Sequence, residues 1–148
     1  MIETEITDRV NALTAQDWSE LEVLYERVVR HTGSFSEMGG GQEIEKGVIE
    51  MPYTIEKPIV SEVRRFFLDK HLIVMFDWSH WNEGKAMFKV SEAERFKGIS
   101  LEDTVKMFTA VMRNDRFCDG AWADLFENGD SQRLLKRLLA FKPVSLHS

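Results

Sequence analysis

The segment Thr14-Ala-Gln-Asp17, followed by apolar residues at Trp18, Leu21, Leu24, Tyr25, Val28 and Val29, restricts the fold more than any other feature of this chain. The Thr14 hydroxyl can accept a hydrogen bond from the amide of residue 17, and the Asp17 carboxylate can accept one from the amide of residue 14. That reciprocal pattern is a capping box. Steps of three and four then place the apolar side chains on one stripe, the period of a helix and not of a strand. A helix marked in this way is marginal alone in water and must bury its stripe against other elements. The chain is therefore expected to be built from packed helices.

Further helices follow from the same logic. A short one is expected around Ile6 to Leu13, and Gly33 is suited to stop the helix that starts after Thr14. Pro58 fits the first turn of a helix whose core stripe is Ile59, Val60, Val63, Phe66 and Phe67. Ser100-Leu-Glu-Asp103 is a second capping box, opening a helix with Leu101, Val105, Phe108, Val111 and Met112 inward. The last helix turns Leu134, Leu135, Leu138 and Leu139 inward, and Arg133, Lys136 and Arg137 outward onto what reads as a solvated face. Residues 34–47, with Gly39, Gly40 and Gly41 in a row, read as a loop. Val48 to Ile55 reads as a short edge strand interrupted by Pro52. Leu72 to Phe76 reads as a brief buried strand or an extended crossing. Asp77 or Ser79 is expected to cap a helix running through Trp81 to about Phe88. The expected fold class is mostly α: one compact domain over residues 1–148, with about six or seven short helices and room for a small two-stranded β element.

Composition narrows the setting. Ten Phe and four Trp in 148 residues supply a large core, and Cys118 is the lone cysteine, which excludes an intramolecular disulfide and suits a reducing compartment. The start Met-Ile-Glu-Thr-Glu lacks the basic and apolar regions of a signal peptide, and the longest apolar run, Leu72 to Phe76, is far too short to span a membrane. A cytoplasmic protein is expected. The net charge of −6 lies entirely in the first 74 residues, which hold 14 acids and 8 bases, whereas the last 74 hold 11 of each. An acidic chain is repelled by phosphate backbones, so general nucleic-acid binding is disfavoured.

The polar residues concentrate in two places. In Thr109-Ala-Val-Met-Arg113-Asn-Asp115-Arg116-Phe117-Cys118-Asp119-Gly120, a continuing helix would bring Arg113, Asp115, Arg116 and Asp119 within one and a half turns. That set reads either as a structural Arg–Asp network or as a clamp for an anion, whose oxygens match guanidinium forks. In Phe76-Asp77-Trp78-Ser79-His80-Trp81, the two Trp would share a helix face and form a pair in the core. Asp77 there is either a helix cap or one half of an acid–base pair with His80. Neither segment has the three or four ligands that a metal needs, and His31, His71 and His147 show no spacing for sharing one. The three glycines lack the Lys-Ser/Thr of a phosphate-binding loop. Cys118 reads as a small buried residue before it reads as a nucleophile.

Phe76-Asp77-Trp78-x-x-Trp81, Thr109-x-x-x-Arg113-x-Asp115-Arg116-Phe117-x-x-Gly120, Gly129 and the Leu-rich last helix together resemble a bacterial family of unknown function, over about residues 48–142. The second motif is the more specific. The resemblance implies a domain and a set of residues to watch, and it carries no reaction or cofactor.

On these grounds the expected function is that of a small protein-interaction or regulatory module, acting on a protein partner or on a second copy of itself. The alternative is an enzyme or binding protein for an anionic small molecule or nucleotide, using the Arg113/Asp115/Arg116/Asp119 cluster, with Asp77, Trp78 and Trp81 as secondary candidates. A third reading, a nucleic-acid regulator using the basic last helix, runs against the overall acidity.

Overall fold

The computed structural model describes residues 1–146, so His147 lies outside the described residues. Seven α-helices form the body: α1 (Ile2–Asn11), α2 (Ala15–Arg30), α3 (Pro58–Asp69), α4 (Asn82–Met87), α5 (Leu101–Asn114), α6 (Ala121–Glu127) and α7 (Asp130–Leu139). The capping box forms as the sequence requires: the Asp17 amide donates to Thr14 Oγ1 at 3.1 Å, and the Thr14 amide donates to Asp17 Oδ2 at 3.0 Å. Trp18, Leu21, Leu24 and Val28 are buried, Tyr25 is half-buried, and Val29 at the edge of the stripe is exposed. At the second predicted box only half forms: the Asp103 amide donates to Ser100 Oγ at 3.0 Å, without a return bond.

Helix α5 packs on α1, α6 and α7, while α2 packs on α3 and α7. Their apolar stripes meet in one cluster of buried side chains that runs from Ile6 in α1 to Leu138 in α7. Aromatic rings form its centre. Phe67 and Phe108 lie 4.2 Å apart between centroids, and Trp122 meets Phe126 edge-on at 5.6 Å. The buried Trp122 Nε1 donates to the Val60 carbonyl at 3.2 Å, which spares it the cost of an unpaired polar group.

Residues 34–47 are not a loop. They hold β1 (Ser36–Gly39) and β2 (Glu43–Glu45), which belong to a long hairpin with β3 (Val48–Ile49) and β4 (Tyr53–Glu56). Strand β1 pairs antiparallel with β4, Ser36 opposite Glu56 and Gly39 opposite Tyr53, and β2 pairs with β3. The break between β3 and β4 falls at Pro52, and two antiparallel pairs stand where one two-stranded element was expected. Strand β3 and most of β4 fall on the Val48 to Ile55 segment read as a strand interrupted at Pro52, whereas β1 and β2 escape sequence reading because they are three or four residues long and mostly exposed, with no buried apolar face. The glycines serve close packing: Gly40 has φ +71°, and a Cβ there would stand 2.3 Å from the Met51 carbonyl oxygen.

Residues 72–76 form an extended crossing and no strand. Leu72 and Val74 are buried, Met75 between that crossing's inward residues points out, and the Val74 amide donates to the buried Thr109 Oγ1 at 3.1 Å. The expected helix from residue 77 is shorter than predicted. A 3-10 turn covers Trp78–His80, α4 begins only at Asn82, and neither Asp77 nor Ser79 caps it.

Candidate functional site

The helix that carries Arg113 ends at Asn114, so the predicted spacing of Arg113, Asp115, Arg116 and Asp119 along one helix does not form. Instead the chain makes a tight turn, with the Phe117 and Cys118 amides both donating to the Asn114 carbonyl at 2.9 Å. Two carboxylates hold the turn. Asp115 accepts from the Trp122 amide at 3.1 Å and from Arg64 Nη2 at 3.2 Å. Arg64 also pairs with Glu56 and lies over the Trp122 ring. Asp119 accepts from the Thr54 amide at 2.7 Å, tying the turn to β4. Gly120, at φ +95°, lets the turn pass against Thr54, whose hydroxyl would stand 2.9 Å from any Cβ there.

The two arginines of the segment have a different environment. The guanidinium groups of Arg113 and Arg116 make no hydrogen bond or ion pair among the described residues, although the Arg116 amide donates to the Arg113 carbonyl at 3.3 Å in the turn. Both line one hollow of about 430 Å³ together with Val74, Met75, Phe76, Trp78 and Phe117. One wall is the end of α5 and its turn; the other is the extended crossing, which Thr109 fixes onto α5. The apolar side chains on this wall are unusually open: Met75 is 88% and Phe117 76% exposed. Trp78 lies 6.1 Å from Phe117 with the rings inclined by 31°.

Trp78 and Trp81 part company, against the expectation of a core pair. Trp81 is buried, edge-on to Phe76 at 5.5 Å, with Lys106 Nζ 4.7 Å above its ring. It lies flat on α4 because Gly84 has no Cβ to hold it off. Trp78 is only half-buried, because the 3-10 turn rotates it away from Trp81's face. It also lines a second hollow, of about 270 Å³, with Trp81, Lys85, Phe88, Val111 and Asn114 among its walls. Trp78 is thus the partition between two adjoining depressions.

Asp77 and His80 do meet, with Asp77 Oδ2 3.0 Å from His80 Nδ1. Both are exposed. The hydrogen bond from His80 first, and that from Ser79 second, hold the Asp77 carboxyl below its usual range. Ser79 Oγ approaches the same His80 nitrogen that faces Asp77. A serine–histidine–aspartate relay needs the serine and the carboxylate on opposite ring nitrogens, so this trio is not arranged as one. Cys118 is exposed, not buried, and among the described residues no three His, Cys, Asp or Glu side chains gather as a metal site would require.

Two contributors escape sequence reading. Arg64 lies 51 positions before its partner Asp115, inside a helix legible only as a core stripe. Glu127 accepts from Ser34 Oγ and from the Phe35 amide, anchoring the base of the hairpin. Burial pushes the Glu127 carboxyl up, and those bonds from Ser34, Phe35 and Ser36 outweigh it and bring it below its usual range. No periodic signal announces either contact, since each is a single polar side chain reaching across the fold.

The profile of the family of unknown function DUF6508 matches residues 13–143, and the chain belongs to that family. The match takes in α2 and its capping box, beyond the region of about residues 48–142 that the motifs alone suggest. No curated protein and no solved structure matches the chain. No helix among the described residues is long and apolar enough to cross a membrane.

Proposed function

We propose that this family member is a cytoplasmic protein-interaction module of bacterial type, and that the hollow between α5 and the 72–78 crossing receives an acidic segment of a partner protein. The reading rests on one juxtaposition: two guanidinium groups without a partner among the described residues, beside Met75 and Phe117, two large apolar side chains left open to water. Exposed apolar side chains and unpaired cations together match a segment that carries a large apolar side chain flanked by carboxylates. Aromatic, Met and Arg residues are the types that dominate binding energy at interfaces. The tied carboxylates of Asp115 and Asp119 fix the turn that presents Arg116 and Phe117, so little order has to be gained on binding.

The test is a fluorescence-labelled peptide set with the pattern acid-apolar-acid, against a set with bases in place of the acids, titrated with the intact protein. Saturable binding of the acidic set alone is expected. The double substitution Arg113→Glu and Arg116→Glu should abolish it, and Phe117→Ala should weaken it at least about tenfold, the loss of one interfacial anchor. Equal binding of both sets would overturn the proposal. So would displacement of no acidic peptide by any partner-like sequence while a free nucleotide occupies the hollow, an outcome that favours a small anionic ligand instead.

A further inference from the structure

We infer a second binding site, for a compact phosphate group, in the hollow between the 92–98 loop and α7. It shares no lining residue with the hollow described above and measures about 340 Å³. Arg95, Lys97, Arg133, Lys136 and Arg137 line it, with Glu92 as the single acid on its wall. Five cations around one depression, in a chain of net charge −6, set up a local positive field that favours a multiply charged anion.

On this face of α7 Lys136 is exposed, as the sequence suggests, whereas Arg133 and Arg137 are half-buried. Its arginines are held from behind. Asp130 is fully buried and accepts from Arg133 Nη1 at 2.8 Å and from Arg95 Nη1 at 3.1 and 3.2 Å. Arg95 Nε donates to the Val90 carbonyl at 3.0 Å, and Arg137 Nε donates to the Ile99 carbonyl at 2.8 Å. A guanidinium has five N–H donors. Arg95 Nη2 and both Nη groups of Arg137 form no hydrogen bond among the described residues. Lys136 is exposed and has no partner among the described residues; Lys97 and Arg133 reach Glu94 and Glu92 only at 3.7 and 3.9 Å.

The loop above them is pinned. Phe96 is buried, edge-on to Phe88 at 5.5 Å, and sits at φ +65°. A non-glycine residue keeps that backbone only where its surroundings enforce it, and such positions concentrate at ligand clamps. One arginine could pair with Asp130. The structure places two there and lines the same hollow with Lys97, Lys136 and Arg137, the last lying over the Phe141 ring at 4.6 Å. Fixed guanidinium forks match phosphate oxygens bidentately and lose little freedom on binding.

The intact protein should be titrated with inorganic pyrophosphate at constant ionic strength, following amide chemical shifts, with sulfate and a 12-nucleotide DNA strand as competitors for the same site. Saturable shifts confined to the 92–98 loop and α7 are expected, with sulfate weaker. Lys136→Glu, an exposed change that leaves the melting temperature in place, should weaken pyrophosphate about tenfold or more, as reversal of one charge-assisted contact does. Arg113→Glu should leave it unchanged. Absence of saturation, equal response to sulfate, insensitivity to Lys136→Glu, or tight DNA binding with none to pyrophosphate would each overturn the assignment.

Discussion

Two halves of one short segment behave in opposite ways. The acids of the 113–119 stretch, Asp115 and Asp119, are joined to Arg64, to the Trp122 amide and to the Thr54 amide, and they hold the chain in its turn. The guanidinium groups of the bases in the same stretch, Arg113 and Arg116, are paired with nothing among the described residues and line a hollow walled by exposed Met75 and Phe117. In sequence the four look like one network of mutual ion pairs. In space the acids serve the fold and the bases are left for something outside it. The same division separates Trp81, whose ring is core, from Trp78, whose ring is wall.

The sharpest break in that comparison is Trp81→Ala. With the ring 8% exposed and packed on Phe76 and Gly84, its removal should cost about 3–5 kcal/mol in chemical unfolding, while Trp78→Ala should cost a small fraction of that. Comparable losses for both would mean that Trp78 is core as well. Next comes Asp115→Ala, expected to cost about 1–3 kcal/mol by orphaning the Trp122 amide and loosening Arg64, which keeps Glu56. A neutral result would move Asp115 from the fold to the ligand.

Asp17 supplies a reference carboxylate, tied to a backbone amide as Asp115 and Asp119 are, and paired with Lys70. The bond from the Thr14 amide first, and from Lys70 second, hold its carboxyl below the usual value. A lowered value in the folded state means that its contribution is complete above the ordinary carboxylate range and is lost as pH falls through the folded value. Asp17→Asn should therefore cost about 1 kcal/mol at neutral pH, and that difference from the parent should shrink toward zero as pH falls below about 4, measured as unfolding free energy against pH. A difference from the parent that persists undiminished in acid would contradict the sign. The smallest expected effect on stability is that of Arg113→Glu with Arg116→Glu: within about 0.5 kcal/mol, because no bond within the protein is broken. A loss of several kcal/mol would place the arginines in the fold with the acids.

What was legible follows from the range of each interaction. The stripes of α2, α3, α5 and α7 could be read because periodic burial writes itself every three or four residues. Of the hairpin, the Val48 to Ile55 side could be read as a strand broken at Pro52, while β1 and β2 could not, because they are short and mostly exposed. The candidate residues could be picked out by type, and their grouping could not: the end of α5 at Asn114 depends on Trp122, Arg64 and Thr54 reaching the turn from α6, α3 and β4.

By itself, then, the sequence determined the helical class, the cap of α2 and the inward faces of the long helices, since these depend on neighbours within one or two turns. Tertiary structure alone decided which charges are matched. It paired Asp115 with Arg64, buried Asp130 between Arg95 and Arg133, and left Arg113 and Arg116 open. Ion pairing acts over a few ångströms in space and has no period along the chain, so only the packed helices could choose the partners.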